Sequence, residues 1–198
     1  MRIIVGISGA SGAVYGWELL KFLRETDHTV DCVVSANGWR ILEHECGIGP
    51  NDIRNIVDCL HEVGNVGASI ASGSFKTDAM IIAPCSMKTL AAIAHGFSDN
   101  LLIRAADVMI KERRKLVLVP RETPLSSIHL RNMLSLSDTG VTILPACPGY
   151  YHLPTTLSDI VKIMVGKMAD AIGIENQLYK RWIGEMESSS GCRQCIKQ

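Results

Sequence analysis

No run of apolar residues in this sequence is long enough to cross a membrane, and no basic leader with an apolar core is visible. The expectation is a soluble, cytoplasmic protein. Aromatic residues are only 5% of the 198 residues, too few for a platform on which nucleic-acid bases stack. Excess charge is missing as well. Twenty Lys and Arg balance 20 Asp and Glu, so no basic field marks a binder of nucleic acid or membrane surfaces. The seven cysteines contain no metal-binding set. Cys192 and Cys195 form one C-x-x-C, half of a zinc site, with no second pair or histidine cluster at a suitable spacing. An odd count without an export signal points to free thiols, and no metal is expected.

Two further absences concern the stretch around which the chain is organised, RIIVGISGASGAVYGWELLKFL at residues 2–23. Its glycines Gly6, Gly9 and Gly12 are not spaced as G-x-G-x-x-G, and it lacks the lysine of a Walker loop. What it has is a β-branched run at Ile3, Ile4 and Val5, then small residues, then a helical pattern over 13–23 carried by Val14, Trp17, Leu20 and Leu23. Small side chains before a helix let an anion approach unpaired N–H groups at the positive end of the helix dipole. The turn reads as a phosphate cradle; the alternative is a tight turn that needs small residues for packing.

Further on, strands are predicted at 29–34, 79–83, 116–119 and 141–144. Helices are predicted at 36–45, from Asn51 or Asp52 to about Leu60, at 88–94, 101–112 and 126–139, and from Thr156 or Ser158 to about Gly173. On the last helix Leu157, Ile160, Val161, Met164 and Met168 form an apolar stripe. Residues 61–76 are rich in Gly and Ser and read as an active-site loop or a short edge strand. Strands alternating with helices give an α/β fold, three layers with a central parallel sheet in the Rossmann-like manner. One domain is expected over residues 1–186, with a polar, mobile tail at 187–198.

In such sheets ligands bind beyond the carboxyl ends of the strands. That rule gathers Gly9, Ala10, Ser11, Ser35, Ser86, Thr89 and Arg121 at one edge. The hydroxyls either cap helices or suit a polar ligand such as flavin mononucleotide. Ser35 stands where a ribose-binding carboxylate would end the second strand, which weakens a dinucleotide reading. Glu122, beside Arg121, is a carboxylate suited to proton transfer among cations. Tyr151 could donate to a phosphate or simply close the core, and Lys167 could point a cation into a cleft or a subunit interface or merely extend to solvent. Arg104, Lys111, Arg113, Arg114, Lys115 and Arg121 concentrate positive charge in mid-chain; for 113–115 the default is a solvated helix end. His129 reads as a packed or hydrogen-bonded histidine, and Cys85 as structural.

The segments GISGASGA, SGSFKTDAMIIAPCSMKTLAAIAHG, RAADVMIKERRKLVLVPRETPLSSIHLRNML and ILPACPGYYH resemble the UbiX-type flavin prenyltransferases, in particular the B subunits that accompany bacterial phenolic-acid decarboxylases. The likeness covers residues 2–182. It implies a metal-independent enzyme that joins the dimethylallyl group of dimethylallyl phosphate to N5 and C6 of reduced FMN. The product, prenylated FMN, serves a UbiD-type decarboxylase, and the enzyme is commonly a homododecamer. By the same resemblance Gly9, Ala10, Ser11, Ser35, Ser86, Met87, Lys88, Thr89 and Arg121 contact the flavin. Arg104, Lys111, Tyr151 and Lys167 hold the prenyl phosphate. Ser11, Glu45, Lys111 and Glu122 carry the catalytic roles, with Glu45 and Trp182 near the allyl phosphate and a subunit interface. Lys167 stands where some members carry Arg, which keeps the charge and loses the bidentate fork. Two rival readings are a direct phenolic-acid decarboxylase and a non-catalytic FMN carrier subunit. A flavin-dependent cysteine decarboxylase of similar fold is a third, but the surroundings of His44 do not resemble its catalytic histidine.

Overall fold

In the computed structural model, which describes residues 1–184, the chain opens on β1 (Arg2–Ile7), buried from Ile3 to Ile7. The Cys192–Cys195 pair and the expected boundary at residue 186 lie outside the described residues. The strand continues through Gly6 and Ile7, because both its faces are covered. Ile3, Val5 and Ile7 face one helical layer and Ile4 faces the other. Next comes α1 (Ala13–Arg24), which buries Ala13, Gly16, Leu19, Leu20 and Leu23. Val14 and Trp17 are only half-buried, so the inward stripe is rotated from the predicted one.

The pair β2 (Thr29–Val34) and α2 (Ala36–Cys46) follows the sequence expectation. The next helix does not. α3 (Pro50–Arg54) is one short turn, and β3 (Cys59–His61) replaces its predicted second half. Asp58 explains the change. Its N–H donates to the Val30 carbonyl at 3.0 Å and its Oδ2 accepts from Val30 N at 2.8 Å. That reciprocal pair sets residues 59–61 in parallel register with 31–33. A contact about thirty residues away overrides the local helical pattern. The edge strand therefore lies just ahead of the predicted loop, which holds a single 3-10 turn at Ser69–Ala71.

The centre of the sheet is β4 (Ala79–Cys85), buried at every residue. It incorporates Pro84 and Cys85, which the sequence assigns to a turn. After it come α4 (Met87–Ala94), α5 (Leu101–Lys111), β5 (Lys115–Pro120), α6 (Ser127–Asp138), β6 (Thr142–Ile143) and α7 (Leu157–Ile172). Side chains cap these helices, and Ser126, read as the first residue of its helix, is a cap instead. Ser86, Asn100, Ser126 and Thr156 each accept a backbone N–H from the first turn. His129 shares the α6 cap, its ring accepting from Ser126 N at 3.3 Å. Leu157 is 81% exposed and does not belong to the α7 stripe, which buries Ile163, Met164, Met168 and Ile172. Arg114 is not a solvated charge. It donates to the carbonyls of Gly73 and Phe75 and to Thr77 Oγ1, and so pins the 73–77 segment.

The six strands run in the order β3-β2-β1-β4-β5-β6, every pair parallel. The α1, α2 and α7 residues pack on one face, and those of α4, α5 and α6 on the other. The order reverses between β1 and β4, so the crevice expected of this topology opens at their carboxyl ends.

Beyond α7 the chain is clamped back onto the helix. Asp170 accepts bonds from Tyr179 Oη at 2.7 Å, from Arg181 Nη2 at 2.7 Å and from Asn176 Nδ2 at 2.8 Å. The Arg181 bond, with the others, outweighs burial and holds the Asp170 carboxyl below its usual range. A depressed carboxylate stabilises the fold fully above its unfolded pKa of about 3.9 and loses that contribution as pH falls through the lower folded value. In a protein carrying Trp17→Phe and Trp39→Phe, the emission of Trp182 should stay constant down to about pH 4 and then shift. Asp170→Asn should show the shifted emission at neutral pH. An unchanged spectrum in both cases would detach this clamp from the 174–182 segment.

Candidate active site

Three helices start at the carboxyl edge of the sheet around the crossover: α1, α2 and α4. Ser8 welds the crevice together. Fully buried, it receives the Ser86 N–H on Oγ at 2.8 Å and donates both Oγ–H and N–H to the Pro84 carbonyl, at 3.0 and 3.1 Å. This residue escapes a reading of the turn as merely small. Its signal is a hydroxyl directly after a fully apolar strand, which must be paired when buried.

Ser35 accepts from Gly38 N at 3.0 Å and caps α2. Ser86 accepts from Thr89 N at 3.3 Å, and its hydroxyl reaches Thr89 Oγ1 at 3.1 Å. The hydroxyls are thus helix caps first, and they line the edge as caps. Gly9 lets α2 press close, since a Cβ there would stand 2.4 Å from Asn37 Cβ. Ala10 is buried and Ser11 exposed at the turn. Met87 opens α4 half-buried beside Ser86, and the exposed Lys88 turns aside to Asp99 at 3.6 Å.

Glu45 arrives at the same place from the end of α2. Its Oε2 accepts the N–H of Gly12 at 2.8 Å and of Ala13 at 3.0 Å. Burial pushes its carboxyl up, but bonds from Ser11, Gly12 and Ala13 and the charge of Arg121 prevail and hold it below the ordinary range. An ionised carboxylate therefore caps α1. The phosphate-cradle reading is corrected to this extent: two of the amides it relies on already serve Glu45. Arg121 follows β5 and donates from Nε to the Ser11 carbonyl at 3.1 Å. Glu122 is exposed beside it, accepting from Thr123 N at 3.0 Å.

Next to α1 lies a cleft of about 260 Å³, walled by Leu144, Pro145, Cys147, Tyr151, Met164 and Lys167 among others. Tyr15 joins the cleft to the cradle. It stands half-buried against Cys147 and Tyr150, and burial, then those two neighbours, raises its phenol. Tyr151 packs edge-on to Trp182 with centroids 6.1 Å apart. Lys167 lies 5.4 Å from the Tyr179 ring centroid. Cys85, like Cys32, is wholly buried and its thiol pushed far up by desolvation, which supports a structural role.

Arg104 and Lys111 do not join this cluster within the protomer. The Arg104 guanidinium binds Asp107 and the Ala71 carbonyl. Lys111 ends α5, pairs with Glu112 and lies against Gly73. Since β5 begins only at Lys115, Lys111 sits at the amino edge of the sheet. The six residues of β5 put roughly 20 Å between that edge and Arg121. Among the described residues no hydrogen bond or ion pair links Arg104 or Lys111 to Ser11, Glu45, Arg121, Glu122, Tyr151 or Lys167. Clustered charge in sequence does not reveal which edge of a sheet it decorates.

The general family model "Flavoprotein" matches residues 1–181. A flavin prenyltransferase UbiX of Thauera aromatica is 49% identical over 187 residues, covering 94% of this chain and 96% of its relative. The chain belongs to the UbiX-type flavin prenyltransferase family. Two solved structures of similar proteins agree in fold. A dodecameric FMN-dependent UbiX-like decarboxylase from Escherichia coli O157:H7 superposes with TM-score 0.91 at 47% identity, over 93% of this chain and all of that one. AnUbiX (PadA1), solved in complex with FMN and dimethylallyl pyrophosphate, gives TM-score 0.91 at 43% identity over 93% and 98% of the two chains. The UbiX-type fold is thus a six-stranded parallel sheet with its crevice at the β1/β4 crossover.

Proposed function

We propose that the chain is a flavin prenyltransferase, joining the dimethylallyl group of dimethylallyl phosphate to N5 and C6 of reduced FMN and so making prenylated FMN for a UbiD-type decarboxylase of phenolic acids. One observation carries the reading. The helix starts of α1, capped by Glu45, and of α2 and α4, capped by Ser35 and Ser86, meet with Arg121 at a single crevice in a chain similar to flavin prenyltransferases over most of its length. The donor set fits FMN: small residues Gly9 and Ala10, hydroxyls at Ser11, Ser35, Ser86 and Thr89, and a guanidinium at Arg121. Met87 joins that set at the start of α4, and Lys88 does so by leaving Asp99.

Bound reduced FMN supplies an electron-rich ring toward the allyl carbon. The protein's part is electrostatic and positional. Tyr151 and Lys167, which both line the cleft, would hold the prenyl phosphate, and their donors stabilise the negative charge that grows as it departs. Glu122, exposed beside Arg121, is the carboxylate that takes a proton. Ser11 and Glu45 stand together at the α1 start, where Glu45 accepts the Gly12 and Ala13 amides, and serve as a proton path or an orienting clamp. Confinement of both reactants between α1 and the 147–152 loop lowers the entropic barrier.

Lys111 completes the phosphate site from a neighbouring copy, because its own protomer holds it at the other edge, and Arg104, turned to Asp107 and the Ala71 carbonyl in its own protomer, joins it there. Exposed apolar side chains at Ile128, Leu130 and Leu134 on α6, and at Phe97 just after α4, fit a chain that associates with copies of itself. A homododecamer in the cytoplasm is the assembly proposed. No described helix is long and apolar enough to span a membrane.

The test is incubation of the purified protein with reduced FMN and dimethylallyl phosphate or its diphosphate, without oxygen. The monophosphate should release inorganic phosphate and leave a flavin heavier by one five-carbon unit, which then activates a decarboxylase lacking its cofactor. Phenolic acids alone should remain intact. Decarboxylation by the pure protein would favour the direct decarboxylase, and FMN binding with no phosphate release would favour the carrier. Preference for the diphosphate would correct the substrate.

A further inference from the structure

At the β3 edge, on the α5 face and away from the crevice, three groups stand in line. Asp31, 1% exposed, lies in register beside Cys59 across the β2–β3 pairing. His61, two residues after Cys59, is on the same face of the edge strand. Its Nε2 is 2.7 Å from Asp31 Oδ1, and its Nδ1 is 3.8 Å from Cys59 Sγ. The ligand atoms of the three residues all lie within 4.8 Å of one another.

The hydrogen-bond roles are forced by chemistry. A carboxylate only accepts, so Nε2 carries the proton and donates to Asp31. In the neutral ring the lone pair is then on Nδ1, facing the sulfur. This is the arrangement by which a carboxylate orients a metal-binding histidine from behind. The spacing agrees. A tetrahedral zinc ion with ordinary zinc–sulfur and zinc–nitrogen bonds holds S and N about 3.6 Å apart. Arg2 Nη1, 3.3 Å from Asp31 Oδ2, neutralises the far side of the carboxylate. It occupies the oxygen that a third ligand would need, which keeps Asp31 behind the histidine rather than on the metal. Asp58 and Asp78 flank the group but are spent on backbone N–H donors of Val30 and Arg2.

The geometry points to a peripheral site for a thiophilic divalent cation, Zn2+ by class, ligated by Cys59 Sγ and His61 Nδ1. Asp31 acts as the positioning residue, and water fills the remaining positions. As the metal–sulfur bond forms, the thiol proton passes to solvent and no electron is transferred. Prenyl transfer itself requires no metal at this distance from the crevice, so the site adds a property to the chain rather than a part to the reaction.

The experiment uses full-length, chelator-stripped protein carrying Cys192→Ser and Cys195→Ser, which removes the competing C-x-x-C. Titrated with Co2+, it should develop one equivalent of thiolate-to-cobalt charge-transfer absorption, which Zn2+ then bleaches. Adding Cys59→Ser or His61→Ala should abolish the band; Cys59 is exposed, so folding is expected to survive its replacement, and His61→Gln keeps a polar partner for the buried Asp31 where His61→Ala does not fold. Asp31→Asn should weaken binding by about 10- to 100-fold. Absence of a thiolate band under excess metal overturns the site, as does a band that persists in Cys59→Ser.

Discussion

Lys111→Ala should lower prenyl transfer by about 10²- to 10³-fold, the scale of losing one charge stabiliser in a water-poor site, while FMN binding stays nearly unchanged. The cradle, the caps and Arg121 lie at the other edge of the sheet, so removing this cation does not touch them. Glu122→Gln should slow turnover with the same sparing of FMN. The informative step is to co-assemble the two variants. If Lys111 serves the crevice of a neighbouring copy, some sites in a mixed oligomer combine an intact Glu122 with an intact Lys111. Activity should then recover above that of either variant alone. A mixture no better than its parents would show that Lys111 acts in its own protomer or not at all. Turnover untouched in both single variants would remove them from the mechanism.

The second large effect is expected at Gly16. This residue sits in α1 where the helix crosses β4. A Cβ there would lie 2.3 Å from the Ala83 carbonyl oxygen and 2.9 Å from Ile7 Cδ1. The nearer obstacle is backbone, in the fully buried centre of the sheet, and cannot turn aside as a side chain could. Gly16→Val should therefore cost about 3 kcal/mol or more. For a domain of this size that is a fall in melting temperature of roughly 6–12 °C. FMN affinity should fall with it, because displacement of α1 also moves Gly12 and Ser11. A variant that melts like the parent would mean that α1 is not seated on β4 as described.

These two positions show what a sequence does and does not disclose. The strand–turn–helix at residues 2–24 was legible because every signal in it is local: a β-branched run, small residues, then helical periodicity. The buried strands β4 and β5 were legible for the same reason. Hydroxyls at the starts of α2, α4 and α7 announced their caps, whereas Asn51, offered as the cap of α3, lies inside that helix behind Gly49. Misreadings arose where the deciding contact is remote. Residues 55–60 look helical until Asp58 finds Val30. Glu45 was singled out by resemblance alone, and its local pattern does not show that it closes the end of a helix that begins 32 residues earlier. Arg114 looks like part of a charge run, yet its donors hold three groups of the 73–77 segment. Arg104 and Lys111 were recognisable as cations of interest, but their distance from the crevice depends on the direction in which α5 runs along the sheet. Ser8 hides among small residues because its worth lies in what the other half of the sheet presents to it.

Glu45 at the start of α1 has a consequence for how the crevice treats ordinary solutes. It is a tethered anion, and any free anion that would bind the Gly12 and Ala13 amides competes with a carboxylate whose effective concentration is on the order of millimolar or higher. Inorganic phosphate or sulfate brings only its charge to that contest. A ligand that also engages Arg121, the turn hydroxyls or the cleft brings several footholds at once. The internal carboxylate thus acts as a threshold, rejecting bare ions and admitting molecules large enough to be held elsewhere.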